Sequence, residues 1–506
     1  MSKKKQRGIG VLLSYLVMGS NLIIGLVYTP YLISMLGQSE YGNYNYVSSI
    51  VSYLSLLTCG FGSAYLRFAT PYKKTNDADG VANINGLFLM LFIIMGTVAL
   101  CIGGVMTWQS DFVLGGSLTQ EELRTSKVLM GILVLNIFMT FPVSIFNSYI
   151  IAQERFIFQK GLALFRTLIS PMIIVFILLN GHKAIGVAWG TLFVTVFIDL
   201  LSISYCFIKL KIKFKFEKKY RKKTKEVFIF SSFLLISMIV DQINWSVDKF
   251  ILGKMCGTVV VAIYTVGATI NTYYKSMGEA ISSVFVPKVY EIISSPDANK
   301  NATDLMTKLG RIQSMLLFLI LSGFISFGRP FIRLWVGEQY DQAYYVILLL
   351  MIPVTIPEIQ KIGLEIQKAK NLHKFRSVAY TVIAIINLII SIPLSKYFGA
   401  IGAASGTAIT MLLGNGIIMN IYYHKKVKVD IMYFWTETSK LFPIIFLSLG
   451  IGLIINYAVN PDGWLLLLLC IAVFTLIYVI SMYFWGMNSF EKSYVNKIFA
   501  KICKKR

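Results

Sequence analysis

Residues Ile185-Gly186-Val187-Ala188-Trp189-Gly190-Thr191 recur as Ile401-Gly402-Ala403-Ala404-Ser405-Gly406-Thr407, with five of seven positions identical at an offset of 216. Each stretch opens an apolar run and carries GxxxG, the spacing that lets two helix backbones approach closely in lipid. A fainter echo sets Met35, Gly37, Tyr44, Ile50 and Tyr53 against Met255, Gly257, Tyr264, Ile270 and Tyr273 at an offset of 220. Both echoes pair an apolar segment with the one six segments later. Six is even, so the two copies face the same way: a parallel repeat about an axis along the membrane normal.

The segments lie at 10–27, 45–67, 85–107, 127–151, 162–180, 184–207, 227–252, 259–285, 310–328, 343–366, 377–395, 400–422, 441–458 and 464–485. They predict about 14 transmembrane helices of ~22 residues with short connections, none large enough for a separate soluble domain. Composition agrees. The 506 residues are 56% hydrophobic and 14% charged, with mean hydropathy +0.68, whereas soluble domains are about 25% charged. This excludes an ordinary soluble enzyme and a disordered chain. Lys3, Lys4, Lys5 and Arg7 precede the first run as in a secretory signal. That run continues from Ile9 to Met35, longer than an h-region of ~7–15 residues, and is read as a retained helix.

Net charge is +24, from 48 Lys+Arg and 24 Asp+Glu. In a soluble protein this would suggest nucleic acid; in a membrane chain it is the expected excess in cytoplasmic loops. With the N-terminus cytoplasmic, the outer loops receive Arg124, Lys127, Lys183, Lys249, Lys254, Arg329, Arg333 and Lys396, eight of the 48 basic residues. Both termini then lie inside, which requires an even helix count. The six cysteines form no CxxC pair and the three histidines sit near loop ends, so neither a disulfide framework nor a metal site is expected.

The fold class is therefore an all-α polytopic membrane protein: two six-helix lobes in parallel pseudo-repeat plus two C-terminal helices. The expected boundaries are 1–208 for the N-lobe, 209–226 for a basic cytoplasmic linker, 227–424 for the C-lobe, and 425–506 for the last helix pair and basic tail. The linker holds ten Lys/Arg between Lys209 and Lys225 and reads as a solvated run lying on anionic headgroups. A site between two lobes, exposed to each side in turn by rocking, is what such an architecture implies.

Four stretches in order resemble a known family: Leu36-Gly37…Glu40-Tyr41-Gly42; Ala152-Gln153-Glu154-Arg155-Phe156; Asp248-Lys249-Phe250-Ile251-Leu252-Gly253 with Ala262-Ile263-Tyr264; and Gly328-Arg329-Pro330-Phe331-Ile332-Arg333-Leu334-Trp335-Val336-Gly337…Tyr340. They are similar to Wzx-type flippases, the polysaccharide-exporting branch of the multidrug/oligosaccharidyl-lipid/polysaccharide (MOP) superfamily, which also holds the MATE exporters. The resemblance covers the whole chain. It implies movement of an undecaprenyl-diphosphate-linked oligosaccharide to the outer leaflet for capsule- or O-antigen-like glycan synthesis. It also implies a cavity lined largely by segments 1, 2, 7 and 8, with basic residues for the anionic head group.

A diphosphate and several sugars cross hydrocarbon only inside a hydrated polar cavity, so charges within the segments are the candidate site. The substrate-cavity candidates are Asn21, Arg67, Asp241, Asn244, Asp248, Lys249, Lys275, Glu279 and Arg311. Asp241, Asn244 and Asp248 share one helix face. Arg166, Asp199, Glu358, Lys361 and Glu365 are candidates for ion coupling or a lobe-packing network. Structural alternatives stand beside these. Arg67 and Arg311 lie where side chains snorkel to headgroups. Asp248-Lys249 is placed to cap the seventh segment, Lys275–Glu279 to pair within one helix, and Arg166–Asp199 to neutralise each other. Pro30, Pro353 and Pro357 are expected kink sites.

No phosphate-binding GxxxxGK[ST] is present, so no ATPase of its own is expected. Coupling to H+ or Na+, with no cofactor or metal, is the expectation. The expected partners are a lipid-linked oligosaccharide, membrane lipids and a downstream polymerase or ligase, with no nucleic acid; the chain is expected to act as a monomer in the cytoplasmic membrane. The rival readings are a lipid II flippase, a MATE-type ion-coupled drug exporter and an integral glycosyltransferase. The last usually needs a sizeable extramembrane loop or an acidic metal motif such as DxD, and the longest outer loop, about 108–126, holds Asp111, Glu121 and Glu122 without that pattern.

Overall fold

The computed structural model describes residues 3–217, 220, 223–493 and 496; the side chains at 3–8, 11, 233, 236, 237, 240, 241, 243–245, 373 and 374 lie outside that description. The described residues form helices and no strand. Nine helices among them are long and apolar enough to cross a membrane, or ten with one bent pair. The expected fourteen is not reached by that count, for two visible reasons. Leu12–Lys74 and Phe375–Val427 each count once at 63 and 53 residues, although a 63-residue helix would run ~95 Å against a hydrocarbon core of ~30 Å. Thr224–Cys256 and Thr258–Ile293, the expected seventh and eighth helices, are present as helices of 33 and 36 residues but are not among the nine.

The chain divides into two compact units, 1–265 and 266–506. The first holds α1 (Lys3–Ser52), α2 (Phe61–Lys74), α3 (Ala78–Trp108), the short α4 (Ser110–Leu114), α5 (Gln120–Ala152), α6 (Phe156–Leu179), α7 (Ala184–Ile208), α8 (Thr224–Cys256) and the start of α9 (Thr258–Ile293). α1 passes through Pro30 unbroken and kinks at Gly37. The second expected segment is itself interrupted: a 3-10 stretch at Tyr53–Thr58 ends in left-handed Cys59 and Gly60 before α2 begins. α5 starts in a capping box, with Thr119 and Glu122 each bonding the other's backbone N–H.

The basic linker is not a free solvated run where it is described. Lys215 N donates to Ala82 O at 2.9 Å, Asn85 Nδ2 to Lys213 O at 2.9 Å, and Glu217 N to Asn83 Oδ1 at 3.0 Å. The backbone of 213–217 therefore lies along the first turns of α3, satisfying two buried asparagines. Lys215 also bonds Asp79 at 2.8 Å, and that carboxylate holds its ammonium above the usual lysine value.

The second unit holds the rest of α9, then α10 (Ala298–Val336), α11 (Ala343–Ile359), α12 (Lys361–Ala369), α13 (His373–Met411), α14 (Met419–Tyr422), α15 (Ile431–Ser439), α16 (Phe442–Val459) and α17 (Trp464–Ser481). π-helical turns at Leu412–Ile418, Tyr423–Val427 and Met482–Gly486 join or end its helices. α11 and α12 meet at a 44° bend at Gln360, just past Pro353 and Pro357. The C-terminal pair α16–α17 packs on α10 through Met315, Phe327, Ile445, Leu467, Phe474 and Tyr478.

The internal repeat is written in the backbone. Gly37 (φ 77, ψ 169) and Gly257 (φ 90, ψ 174) adopt the same conformation, one essentially confined to glycine. Gly116 and Gly337, and Gly181 and Gly399, form two further positive-φ pairs with similar separations. Left-handed Glu154 and Lys211 correspond in the same way to left-handed Asn371 and Lys428. The GxxxG motifs also match in use. A Cβ on Gly190 would meet Ile177 at 2.7 Å, and one on Gly406 would meet Ser391 at 2.2 Å, each on the preceding helical stretch.

Candidate functional site

The charged candidates sort into two kinds. Some are fully engaged inside the protein and others have no acidic partner. Arg311 belongs to the first kind. It is 3% exposed; its Nε donates to Glu491 Oε1 at 2.7 Å and its Nη2 to Glu491 Oε2 at 3.1 Å. Nη2 also donates to Gly486 O at 3.0 Å, and Nη1 to Glu437 O. Arg311 therefore neither snorkels nor lines an open cavity: it ties α10 to α15 and to the segment after α17.

In unit 2, Lys361 Nζ lies 2.9 Å from Glu279 Oε1 and 3.0 Å from Glu358 Oε1. Lys275 is near enough for its charge to act on Glu358. Two candidate groups are thus one cluster joining α9 to the α11–α12 bend. Glu279 takes a cation from another helix, Lys361, in addition to the expected i,i+4 neighbour Lys275. Glu358 is 2% exposed, and its Oε2 has no hydrogen bond among the described residues. Glu365 is not part of the cluster. The bend at Gln360 separates it from Glu358, and it pairs with Lys368 at 2.8 Å.

In unit 1, three isolated candidates come together across α1, α6 and α7. Thr167 Oγ1 donates to Asn21 Oδ1 at 2.9 Å, and Arg166 Nη2 to Thr195 Oγ1 at 3.2 Å. Thr195 is one helical turn from Asp199, whose Oδ2 is buried without a hydrogen bond among the described residues. Arg166 thus reaches the face of Asp199 but bonds the hydroxyl. Thr167 and Thr195, the links of this ladder, carry no distinguishing signal in the sequence because hydroxyls are common in apolar helices.

Asp248 is 3% exposed and accepts from Tyr264 Oη. It is no helix cap, since α8 continues two turns to Cys256. Lys249 is half-buried, with no hydrogen bond or ion pair among the described residues. Asp241 and Asn244 lie on α8 with side chains outside the described residues. Their neighbour Gln242 donates to Ser52 Oγ at 2.6 Å, fixing α8 to the end of α1.

Arg67 opens into a cavity of about 860 Å³ lined by Phe68, Tyr72, Asp77, Lys223, Glu226 and Phe230 among others. Its guanidinium sits 4.4 Å from the centre of the Phe230 ring. Lys223 Nζ bonds Tyr72 Oη at 2.5 Å and lies 4.8 Å from the centre of that ring. Neither cation has a carboxylate within ion-pair distance among the described residues, although Asp77 and Glu226 share the wall. Asp77 is occupied in capping α3 through Gly80 N at 2.7 Å. Lys223 was hidden in the sequence among the ten cations of the linker. An Arg stacked on an aromatic face keeps its N–H edge free for an anion.

The family described as polysaccharide biosynthesis protein matches residues 8–293, more than half of the chain. The chain belongs to that family. Among curated relatives of this polysaccharide biosynthesis protein is a Shigella flexneri protein named as an O-antigen transporter, 20% identical over 398 residues, covering 76% of this chain and 90% of the relative. A Haloferax volcanii protein named as a low-salt glycan biosynthesis flippase, Agl15, is 21% identical over 393 residues, covering 70% and 80%. The solved structure of lipid II flippase MurJ in an inward closed conformation aligns with TM-score 0.72 at 17% identity, covering 93% of this chain and 98% of that one. That likeness is one of fold. With its long apolar helices, the chain is an all-helical, multi-pass membrane protein. No metal-ligating cluster occurs among its described residues.

Proposed function

We propose that the chain is a flippase that carries an undecaprenyl-diphosphate-linked oligosaccharide repeat unit from the cytoplasmic to the outer leaflet for surface-glycan synthesis. The observation that carries this reading is the cation pair Arg67 and Lys223, set against aromatic rings around an 860 Å³ cavity, neither with a carboxylate at ion-pair distance among the described residues. An unpaired cation in a membrane chain is costly unless a ligand supplies the counter-charge. A diphosphate supplies it through charge-assisted hydrogen bonds. Tyr72, Phe68 and Phe230 offer flat faces to sugar rings, while the prenyl tail stays in lipid.

The two repeats act as lobes that rock about the substrate, so the cycle makes and breaks no covalent bond and the chain is a transporter rather than an enzyme. Energy comes from a H+ or Na+ gradient. Asp199 and Glu358, each with a buried carboxylate oxygen lacking a hydrogen bond among the described residues, are the residues proposed to take the ion. The protein works as a monomer in the cytoplasmic membrane with both termini cytoplasmic, and a polymerase or ligase consumes its product. The test is extraction of undecaprenyl-diphosphate lipids from cells lacking the protein, with mass spectrometry and a surface-glycan assay. Accumulated complete repeat units with lost surface glycan are expected. An unchanged lipid pool and normal glycan, with no redundant flippase, overturn the proposal.

A further inference from the structure

By the repeat, α8 and the start of α9 belong to the second copy, yet they pack inside the unit formed by the first. The place where they do so is specific. Gly37 and Gly257, equivalent positions with equivalent backbone, lie on either side of it. A Cβ on Gly42 would fall 1.8 Å from Thr258 O, and one on Gly253 would fall 2.1 Å from the Tyr46 ring. Ser117 Oγ donates to Gly253 O at 2.6 Å, and Tyr46 Oη to Leu114 O at 3.3 Å. Equivalent parts of two copies that touch each other do so on the axis relating the copies. Such a contact is placed to close one end of a pathway running between the two copies.

A single carboxylate spans this closure. Glu122 Oε1 accepts from Ser39 Oγ at 2.6 Å and from Thr258 Oγ1 at 2.7 Å, two hydroxyls 3.2 Å apart, one just past each glycine break. Its Oε2 is held by Thr119 N at 2.8 Å and Thr119 Oγ1 at 3.0 Å, so the carboxylate is fixed before it meets either. Asn43 Nδ2 adds a bond to Glu122 O at 3.2 Å. We propose that Glu122 is a latch: it pins the helix after Gly37 to the helix after Gly257, keeping one mouth of the pathway shut, and lets go of Thr258 when that mouth opens.

The chemistry suits a reversible latch. Hydrogen bonds to an ionised carboxylate are stronger than neutral ones, yet Glu122 is only half-buried, so water can replace the two hydroxyls on opening. Around it the surfaces meet at Gly42 against the Thr258 backbone and at Gly253 against the Tyr46 ring. The Thr119-x-x-Glu122 box fixes the latch whether or not it is engaged.

The test uses the full chain with its six cysteines replaced, carrying Ser39→Cys and Thr258→Cys and a protease site in the 209–226 linker. Oxidation in membranes is expected to leave the two fragments joined on a non-reducing gel and to stop surface-glycan export. Reduction is expected to restore export to the level of the single cysteine variants. A complete cross-link with undiminished export overturns the proposal, because the closure would never open. A second readout needs no substrate, so it survives failure of the flippase reading. Glu122→Ala is expected to raise maleimide labelling of Ser39→Cys about tenfold, the factor set by ~1.4 kcal/mol, while Glu122→Gln, which keeps an acceptor, stays near the parent. Absence of a cross-link together with labelling indifferent to Glu122→Ala also overturns it. If Glu122→Ala fails to fold, the cross-link arm decides.

Discussion

Replacing Arg311 by methionine removes four hydrogen bonds at once and leaves Glu491, 4% exposed, with Asn488 N at 2.8 Å as a remaining donor. Removing one member of a buried ion pair costs about 3–5 kcal/mol, because the other charge stays desolvated. For a unit of 241 residues (266–506), ~2–4 °C per kcal/mol puts the loss of melting temperature at roughly 10 °C. Glu491→Leu is expected to cost a similar amount by orphaning the arginine. The double variant removes both charges and leaves the Gly486 and Glu437 carbonyls without this donor, a penalty of ~1–3 kcal/mol each at most. It should be more stable than the sum of the single effects by about 2 kcal/mol. The assay is thermal melting of the detergent-purified full chain, followed by fluorescence-detected size exclusion, with membrane level and surface glycan measured in parallel. The reasoning is refuted if Arg311→Met melts like the parent while export is lost, since Arg311 would then act on substrate.

Gly37→Ala should destabilise by ~1–3 kcal/mol although an added Cβ meets nothing within 4 Å. The strain is in the backbone alone, and unchanged melting would contradict the observed φ. Lys361→Met should lower melting by roughly the cost of an orphaned buried carboxylate, ~3–5 kcal/mol, with Glu358→Gln restoring much of it in the double variant; additive losses would argue against the pair. Arg67→Ala should abolish surface glycan at normal membrane level and melting, since its ring contact is worth only ~0.5–1 kcal/mol. Arg67→Lys should recover part of the activity, and normal glycan in the alanine variant removes Arg67 from the site.

The repeat and the helical membrane architecture were legible because both are local or periodic signals. Apolar runs of span length show without knowledge of neighbours, and GxxxG and the Gly37/Gly257 echo show as matched strings. The interruption at Cys59-Gly60 did not show, because the 45–67 run is apolar throughout and the break is imposed by packing; a Cβ on Gly60 would meet Leu234 at 2.9 Å. The latch was half visible, since Thr119-x-x-Glu122 is a capping box by inspection. Its outward use of the second carboxylate oxygen depends on residues 83 and 136 positions away.

Charge pairing shows where sequence reading stops. Partners three or four residues apart, such as Glu365–Lys368, can be read from helical spacing. Arg311–Glu491 spans 180 residues and Lys361–Glu279 spans 82, so these pairs are visible only once the chain is folded. Sequence therefore ranks every intramembrane charge alike, and the fold subtracts those already neutralised. Among the described residues the subtraction leaves Arg67 and Lys223 on aromatic faces, Lys249 half-buried, and Arg166 on a threonine hydroxyl. Among the acids it leaves Asp199, whose Oδ2 has no hydrogen bond among the described residues. Arg67 and Lys223 differ from the rest in facing one cavity together, and that placement, more than the overall charge of +24, suits an anionic lipid-linked cargo.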